Sequence, residues 1–310
     1  MIEVLQSGTR ATLQDSGRRG HRSRGIPASG AADRLSFAVA NWMVGNVWNT
    51  PAIECVLGGQ HFRFHQDTLI GLAGAEMWAQ VNGQNVTNYT AFPVEKGDIL
   101  TLSFSRQGCR AYITVPGGFN GHTFLGSVST YLPAGLGGIE GRALKVGDHF
   151  QIHPVKRNPR KLPPGYRATF SNHIVLRTRP GPEFEDLTQE SQRHLFINPF
   201  IATRNTNRMG ARLRGNRISM RTYEDMTSGP LLPGTLQVPA DSQPVLAMTD
   251  AHCTGGYPRV LQVITADYWL LGQVRPGSKV SFQRCFSRDA IDILKRRTAF
   301  YRSLMDGFSF

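Results

Sequence analysis

The chain has 310 residues, of which 40% are hydrophobic, with 33 glycines, 18 prolines and a formal charge of +13 at pH 7. This length suits two domains of about 150 residues, and the composition is that of a turn-rich globular protein. The first residues, MIEVLQSGTR, lack the features of a signal peptide, and no apolar run reaches the roughly 18 residues of a membrane span. We therefore expect a cytoplasmic protein without a membrane segment.

The positive charge is distributed singly and in short groups, such as Arg18-Arg19 and Lys295-Arg296-Arg297. Nucleic-acid-binding proteins usually concentrate such charge in a tract or a recognisable motif, and neither is present here. We therefore expect no nucleic-acid partner. The basic surface is interpreted as a solvated one that could dock acidic partner chains.

Metal binding is not predicted. The pairs His61/His65 and His149/His153 have ligand-like spacing, but they lie in strand-like segments without a third ligand nearby, and zinc needs three or four. No C-x-x-C pair occurs, so free and mostly buried thiols are expected at the four cysteines, Cys55, Cys109, Cys253 and Cys285.

The first predicted helix lies in ADRLSFAVANWMVGN. Asp33 is its expected N-cap and Gly45 ends it. Apolar residues recur there with helical spacing at Leu35, Ala38, Val39, Trp42 and Met43.

Short alternating or apolar segments between glycine-rich turns dominate the rest of the chain. They include TLIGLAGAEMWAQVNGQNV, ILTLSFS, RAYITVPGG, HIVLRTRPG and RVLQVITADYWLLGQV. This is strand spacing, and Asn82-Gly83 predicts a hairpin with a type I′ turn. The architecture should therefore be mainly β, as a barrel or a sandwich.

A proline-rich and basic stretch, residues 154–169, has no periodicity and is predicted to link two halves. The predicted division is a first domain over 1–155, a linker over 156–170 and a second domain over 171–310. Two further helices are predicted in the second domain. One begins at Thr188, and the other begins at Ser287 with Ile291, Leu294, Tyr301 and Leu304 on one stripe.

The common nucleotide and hydrolase signatures are absent, since neither a P-loop, nor a G-x-G-x-x-G turn, nor a G-x-S-x-G elbow occurs. The stretch MTDAHCTGGYPRV, residues 248–260, offers His252 beside Cys253. Neighbours on an extended segment point to opposite sides, which disfavours a thiol–imidazole dyad.

The two glycines of this stretch are more informative. Gly255 and Gly256 allow positive φ and close approach of main-chain N–H groups to a ligand, as in an anion-binding nest. Tyr257, held extended by Pro258, could offer its phenol to the same space. A glycine turn with a packed tyrosine is the alternative.

Ten short motifs follow one another across the chain: LQDSGRRG, GAAD, ANWMVGN, VPGG, LGSVSTY, GIEGRALKVGD, RPGPE, NRMGARL, LPGTLQVP and DAHCTGGYP. In this order, over roughly residues 1 to 290, they resemble the biotin-dependent carboxyltransferase family, which includes the C subunit of 5-oxoprolinase, KipA and the former allophanate hydrolase subunit 2. The resemblance implies two tandem cyclophilin-like β-barrel domains with a few short helices.

The resemblance also implies a function in a complex. Family members work with a KipI-like B subunit and, in 5-oxoprolinase, a LamB/YcsF-like A subunit, and the complex cleaves 5-oxo-L-proline to L-glutamate, coupled to hydrolysis of ATP. Two alternatives stay open: a KipA-like regulator that binds a KipI-like kinase inhibitor, and the carboxyltransferase subunit of a biotin-dependent urea or amide carboxylase. The expected cofactors are ATP with Mg²⁺ at the level of the complex. Biotin is not expected on this chain, which lacks the carrier MKM motif.

Activating an amide carbonyl by phosphate or carboxyl transfer develops negative charge, which preorganised cations and N–H groups must stabilise. At positions that match the family motifs, the resemblance implies such cations at Arg142, Arg18 and Arg208, because a guanidinium binds phosphate or carboxylate with two bonds. Asp15 and Asp250 could hold Mg²⁺ or orient those arginines.

The remaining expected site residues are uncharged and would bind the ligand through hydrogen bonds. Main-chain donors are expected at Gly137, Gly138, Gly255 and Gly256, and hydrogen bonds to a small amide substrate from Tyr257 and Gln237, with Thr254 in the same ligand-facing turn. The residues predicted to be catalytic are Arg142, Arg208, Asp250 and Tyr257, and those predicted to bind substrate or nucleotide are Asp15, Arg18, Gly137, Gly138, Gln237, Thr254, Gly255 and Gly256.

A structural role is the alternative at each position, since Arg–Asp pairs also tie loops together. Family members usually carry glutamine and threonine in place of His252 and Cys253, so the thiol is not expected to take part.

Overall fold

The structure is a computed structural model that describes residues 1–152, 158–222 and 226–310. The chain forms two compact units. The first unit comprises Met1–Arg18, Ser29–Phe170 and Phe300–Ser309, and the second comprises Arg19–Ala28, Ser171–Ala299 and Phe310. The predicted mainly β fold with a few short helices is confirmed.

The first unit is built from two antiparallel sheets, with strand orders β11-β1-β4-β9-β6-β7 and β2-β3-β10-β5-β8. Its strands are β1 (Ile2–Ser7), β2 (Arg10–Gln14), β3 (Ala52–Val56), β4 (Gln60–Phe64), β5 (Thr68–Gly74), β6 (Gln80–Val81), β7 (Gln84–Asn85), β8 (Thr90–Val94), β9 (Ile99–Thr101), β10 (Arg110–Thr114) and β11 (His149–Phe150). Alternate residues of these strands form one core that includes Val4, Leu13, Phe62, Leu72 and Ile113. The predicted hairpin is confirmed, since Asn82 and Gly83 both have positive φ between β6 and β7.

Helix α1 (Arg34–Met43) packs on β5, β8 and β10 of the first unit. It confirms the first predicted helix. Asp33 caps it by accepting a hydrogen bond from the Ser36 amide at 2.9 Å, and Gly45 follows its end with a φ of 77°. Close packing of the helix on β5 depends on Gly71, because a Cβ there would collide with the Ala40 carbonyl oxygen.

In the second unit, seven of the described strands close into a barrel in the order β12-β19-β16-β17-β14-β13-β20. The strands of this unit are β12 (His173–Pro180), β13 (Phe200–Thr206), β14 (Gly210–Arg214), β15 (Gly229–Pro230), β16 (Thr235–Gln237), β17 (Val245–Ala247), β18 (Thr254–Gly255), β19 (Arg259–Val263) and β20 (Lys279–Arg284). Inward-facing side chains, among them Leu176, Leu213, Leu246, Leu261 and Val280, fill the barrel.

The other helices are α2 (Gln189–Ile197), α3 (Tyr268–Leu271) and α4 (Ser287–Arg302). Thr188 caps α2 as predicted, accepting from the Ser191 amide at 3.2 Å. In α4 the predicted apolar stripe is only partly right. Ile291 is 53% exposed and Tyr301 is buried, and Leu304 lies beyond the end of the helix. None of the described helices is long and apolar enough to cross a lipid bilayer.

The boundaries of the two units differ from those predicted. Residues 158–170 belong to the first unit. There the Tyr166 ring stacks on the Phe300 ring, with the ring centres 4.4 Å apart, and the Tyr166 hydroxyl lies 2.8 Å from Ser303 Oγ. Proline-rich composition indicates irregular backbone, but it does not exclude packing. The predicted linker residues 156 and 157 lie outside the described residues.

Candidate functional site

Asp15 organises a cluster of predicted site residues in the first unit. Its carboxylate accepts hydrogen bonds from Ser127 Oγ and Ser129 Oγ, both at 2.6 Å, and from the amides of Gly17 at 2.8 Å and Val128 at 2.9 Å. Three of these donors share Oδ1, and the Val128 amide reaches Oδ2. The structure therefore shows Asp15 fixing two loops.

Arg18 lies against the same loop and is 1% exposed. Its Nη2 donates to the Ser129 carbonyl, its Nε donates to the Phe124 carbonyl at 3.4 Å, and its guanidinium carbon lies 5.8 Å from the centre of the Phe124 ring. Asp15 and Arg18 are thus brought to one loop, residues 124–129.

Gly137 and Gly138 border this cluster with φ values of 68° and 58°, a region that favours glycine. A Cβ on Gly137 would collide with the Ser129 carbonyl oxygen, and one on Gly138 with Thr130 Oγ1. The Gly138 amide, however, donates to the Val128 carbonyl at 2.7 Å. Gly138 is therefore required by its backbone shape, and its predicted role as a donor to a ligand is wrong.

Arg142 is paired with two carboxylates of its own segment. Its Nη1 and Nη2 donate to Asp148 at 2.7 and 2.9 Å, and its Nε donates to Glu140 at 2.9 Å. The hydrogen bond with Asp148 raises the pKa of Arg142 above its ordinary value. Burial acts to raise the pKa of Asp148, but hydrogen bonds from Arg142 and the Lys145 amide outweigh it and lower that pKa. Arg142 thus ties the glycine-rich loop to a neighbouring turn.

Arg208 and Asp250 form a buried ion pair in the second unit. Their side chains are 4% and 2% exposed, and Arg208 Nε and Nη2 donate to the two carboxylate oxygens at 2.7 and 2.9 Å. The Asp250 amide also donates to the Arg208 carbonyl at 2.7 Å. Asp250 was expected either to hold Mg²⁺ or to orient an arginine, and the structure shows it orienting Arg208.

The segment from Met248 to Pro258, here called the 248–258 loop, brings the remaining predicted residues together. Gln237 Nε2 donates to the Tyr257 carbonyl at 3.3 Å, and the Tyr257 side chain is 47% exposed. Gln237 itself is buried, whereas Thr254 is exposed on β18. The loop thus presents a phenol and a hydroxyl beside a buried amide.

The predicted nest in the 248–258 loop is wrong. Neither Gly255 nor Gly256 has positive φ, and Gly255 pairs in register with Gly229 of β15. Gly255 instead allows close approach, since a Cβ there would lie 2.7 Å from Gln237 Nε2. At Gly256 the nearest atom to a Cβ would be the Met226 carbonyl oxygen at 3.4 Å, which is ordinary contact.

Arg22 is a residue of this site that sequence reasoning missed. It begins a 3₁₀ turn, Arg22–Arg24, and its Nη2 donates to the Leu231 carbonyl and, at 3.3 Å, to the His252 carbonyl. The Leu231 amide in turn donates to the Cys253 carbonyl at 2.9 Å. Arg22 therefore fastens the 248–258 loop. The run of arginines in GRRGHRSRG was the only available signal, and it did not single out this one.

A second ion pair fixes the strand that follows the loop. Arg259 donates to Glu183 through Nε at 3.0 Å and Nη2 at 2.6 Å, and its amide donates to the same carboxylate at 2.7 Å. Burial acts to raise the pKa of Glu183, but these bonds from Arg259 outweigh it, so the pKa lies below its ordinary value of 4.5.

This lowered pKa gives an acid-dependent stability. A carboxyl whose pKa is depressed in the folded state stabilises the fold above its unfolded pKa and loses that contribution as the pH falls. We expect the unfolding free energy of the protein to decline between about pH 5 and pH 3, and the decline to be shallower in Glu183→Gln. Urea unfolding at several pH values measures this, and parallel curves for the two proteins would contradict it.

The histidine pairs and cysteines do not form a metal centre within the described residues, where no group of three or more His, Cys, Asp or Glu side chains is placed to hold an ion. His65 lies 2.8 Å from Glu3, and His153 lies outside the described residues. The cysteines are free, as predicted, with Cys253 half-buried and the other three buried.

Comparison with known proteins identifies the family. The model of the carboxyltransferase domain, subdomains A and B, matches residues 24–284. The chain belongs to this family. Two carboxyltransferase-domain proteins, each named as the C subunit of 5-oxoprolinase, are 36% identical to it over 304 residues: that of Escherichia coli, with 98% of this chain and 97% of the relative covered, and that of Haemophilus influenzae, with 97% and 96%.

The carboxyltransferase-domain fold is also seen in solved structures. The Kluyveromyces lactis urea amidolyase superposes on all of this chain with a TM-score of 0.91 at 28% identity. The chain spans only 20% of the length of that protein.

Proposed function

We propose that this chain is the C subunit of an ATP-dependent 5-oxoprolinase, a hydrolase that acts on a cyclic amide. The observation that carries the proposal is the reciprocal coverage, since the chain and the E. coli C subunit match over 98% and 97% of their lengths. The proposed partners are a KipI-like B subunit and a LamB/YcsF-like A subunit, acting on 5-oxo-L-proline with ATP and Mg²⁺ in the cytoplasm. ATP hydrolysis drives the addition of water across the C–N bond of the lactam, which yields L-glutamate.

The second unit offers the groups that such a reaction needs. Arg208, oriented by Asp250, is a fixed cation whose positive charge can stabilise developing negative charge. The exposed Tyr257 phenol and Thr254 hydroxyl can bind the carbonyl or ring nitrogen of a small amide. In the first unit, the role supported for Asp15 and Arg18 is to hold the 124–129 loop in shape.

One observation favours a second candidate, carboxyl transfer from a biotin carrier. The whole chain superposes on part of a urea amidolyase with a TM-score of 0.91. In that case the carrier and its carboxylase would be other proteins, and avidin would block turnover.

The test is a reconstituted mixture of the chain with the KipI-like and LamB/YcsF-like partners, assayed for ADP release that depends on 5-oxoproline. Turnover that avidin does not affect supports the proposal. Turnover blocked by avidin would favour the carboxyltransferase. A complex with the KipI-like partner that lacks any turnover would favour the KipA-like regulator.

Tyr257→Phe and Cys253→Ser form a matched pair of one-atom changes in the 248–258 loop. We expect Tyr257→Phe to lower kcat/KM by about tenfold, because it removes one hydrogen bond to the substrate. Cys253→Ser should leave turnover unchanged. Thermal unfolding of both variants should match the wild type, since neither side chain is fully buried. A loss of turnover in the serine variant alone would return the thiol to the mechanism.

A further inference from the structure

A basic groove lies on the outer face of the barrel in the second unit. Strand β13 lies between β14 and β20, and Ile201 pairs in register with both Arg214 and Lys279. The next residue, Ala202, is 1% exposed and points into the barrel, so Ile201 and its two partners point outward. Adjacent strands are about 4.8 Å apart, which places the α-carbons of Arg214 and Lys279 about 10 Å apart across Ile201.

A third cation comes from an irregularity in β13. The register of β13 with β14 shifts between Ala202 and Thr206. A local hydrogen bond forms at this irregularity, where Thr206 Oγ1 donates to the Thr203 carbonyl at 2.7 Å. Such bulges re-aim side chains, and here Arg204 is exposed beside the groove. Within the groove, a cavity of about 500 Å³ lies between this bulge, Arg214 and the turn at Pro276-Gly277. Lys279 is not part of the lining of this cavity and lies beside it, across Ile201.

The three cations of the groove lack an acidic neighbour among the residues that the structure describes. Within the described parts of the chain, no carboxylate lies within ion-pair distance of Arg204, Arg214 or Lys279. By contrast, Arg212, which lies on β14 with Arg214, is paired with Asp241. Clustered like charges repel one another and weaken a fold. Such an arrangement suits an acidic ligand, which would offset the repulsion.

We propose that this basic groove binds an extended acidic segment of a partner protein, with carboxylates on Arg204, Arg214 and Lys279 and an apolar side chain on Ile201. The barrel is closed, so it presents no free strand edge to which a peptide could add, and recognition falls to side chains. Side chains on one face of an extended segment repeat every 7 Å or so, within reach of cations about 10 Å apart. This proposal goes beyond the proposed function, because the acidic segment would bind to the chain whether or not the complex is catalytically active.

The test uses the full chain and a fluorescein-labelled peptide, Ser-Glu-Glu-Leu-Glu-Glu-Ser, with binding followed by fluorescence anisotropy. We expect binding that weakens with salt, and a loss of about tenfold or more in affinity when Arg204, Arg214 and Lys279 are all replaced by glutamate. The matched control replaces Arg193, Arg288 and Lys295 by glutamate. These residues lie outside the groove in the same unit and change the charge equally, so we expect less than about a twofold effect.

The proposal would be overturned if the wild-type chain did not bind the peptide, or if the two triple variants lost peptide affinity equally. It would also be overturned if a peptide with glutamine in place of glutamate bound equally well. Single-stranded oligothymidylate serves as the phosphate comparator. If it bound more tightly than the peptide and depended on the same three residues, the occupant would be a nucleic acid and not an acidic protein segment. Circular dichroism of both triple variants establishes that the barrel is intact.

Discussion

Asp250→Asn is expected to lower the free energy of unfolding by about 3 kcal/mol, because it removes the negative charge that pairs with the buried Arg208 guanidinium in this ion pair. The matched control is Asp241→Asn, which breaks an ion pair whose acid is 49% exposed and whose arginine, Arg212, is 37% exposed. Exposed pairs contribute about 0 to 1 kcal/mol, so this variant should remain close to the wild type. Urea unfolding of the three proteins measures the difference.

A double replacement separates the structural role of the pair from its functional one. Arg208→Met with Asp250→Leu removes both charges and replaces them with apolar side chains, and such changes often restore the stability lost when one partner is removed. We expect the double variant to be more stable than Asp250→Asn and yet inactive in the reconstituted complex. Full turnover in the double variant would show that the pair only holds the fold. Similar unfolding energies for Asp250→Asn and Asp241→Asn would contradict the first expectation.

Gly137→Ala is expected to destabilise the first unit by about 2 kcal/mol more than Gly135→Ala. Both glycines have left-handed φ, 68° and 62°, so both alanines carry the same backbone strain of about 1 kcal/mol. They differ in their surroundings. A Cβ on Gly135 meets nothing within 4 Å, whereas one on Gly137 collides with the Ser129 carbonyl that accepts from Arg18.

Urea unfolding measures both glycine variants, and the loss of turnover in the reconstituted complex should follow the same order. The alanine at 137 displaces the loop that Asp15 and Arg18 hold, while the alanine at 135 leaves it in place. Equal unfolding energies for the two variants would mean that the loop relaxes freely around Gly137.

Local signals in the sequence were enough to predict the first unit's helix and hairpin. The Asp33 cap, the apolar spacing after it and Asn82-Gly83 each act within a few residues, so their physics is visible in the sequence alone. Asp250 was expected either to hold Mg²⁺ or to orient one of three arginines, and the structure shows it orienting Arg208, 42 residues away.

The errors arose where the sequence leaves the partner of a residue open. Arg142 was expected to face a ligand, and the sequence did not indicate that Asp148, six residues away, pairs with both of its Nη groups. Gly255 was expected to supply positive φ, but its lack of a side chain serves the close approach of Gln237. A glycine or an arginine in a motif indicates that its shape or charge is needed, and only the folded chain shows for which neighbour.

The interleaved path of the chain determines how it can be divided. Residues 19–28 belong to the second unit and Phe300–Ser309 to the first, where the Phe308 ring lies 5.5 Å from Trp48 and 6.0 Å from Tyr301. A cut between residues 158 and 170 would therefore produce two pieces, each missing a segment of one unit and carrying a segment of the other. We therefore expect the two pieces to behave as complementing fragments and not as separately folding domains.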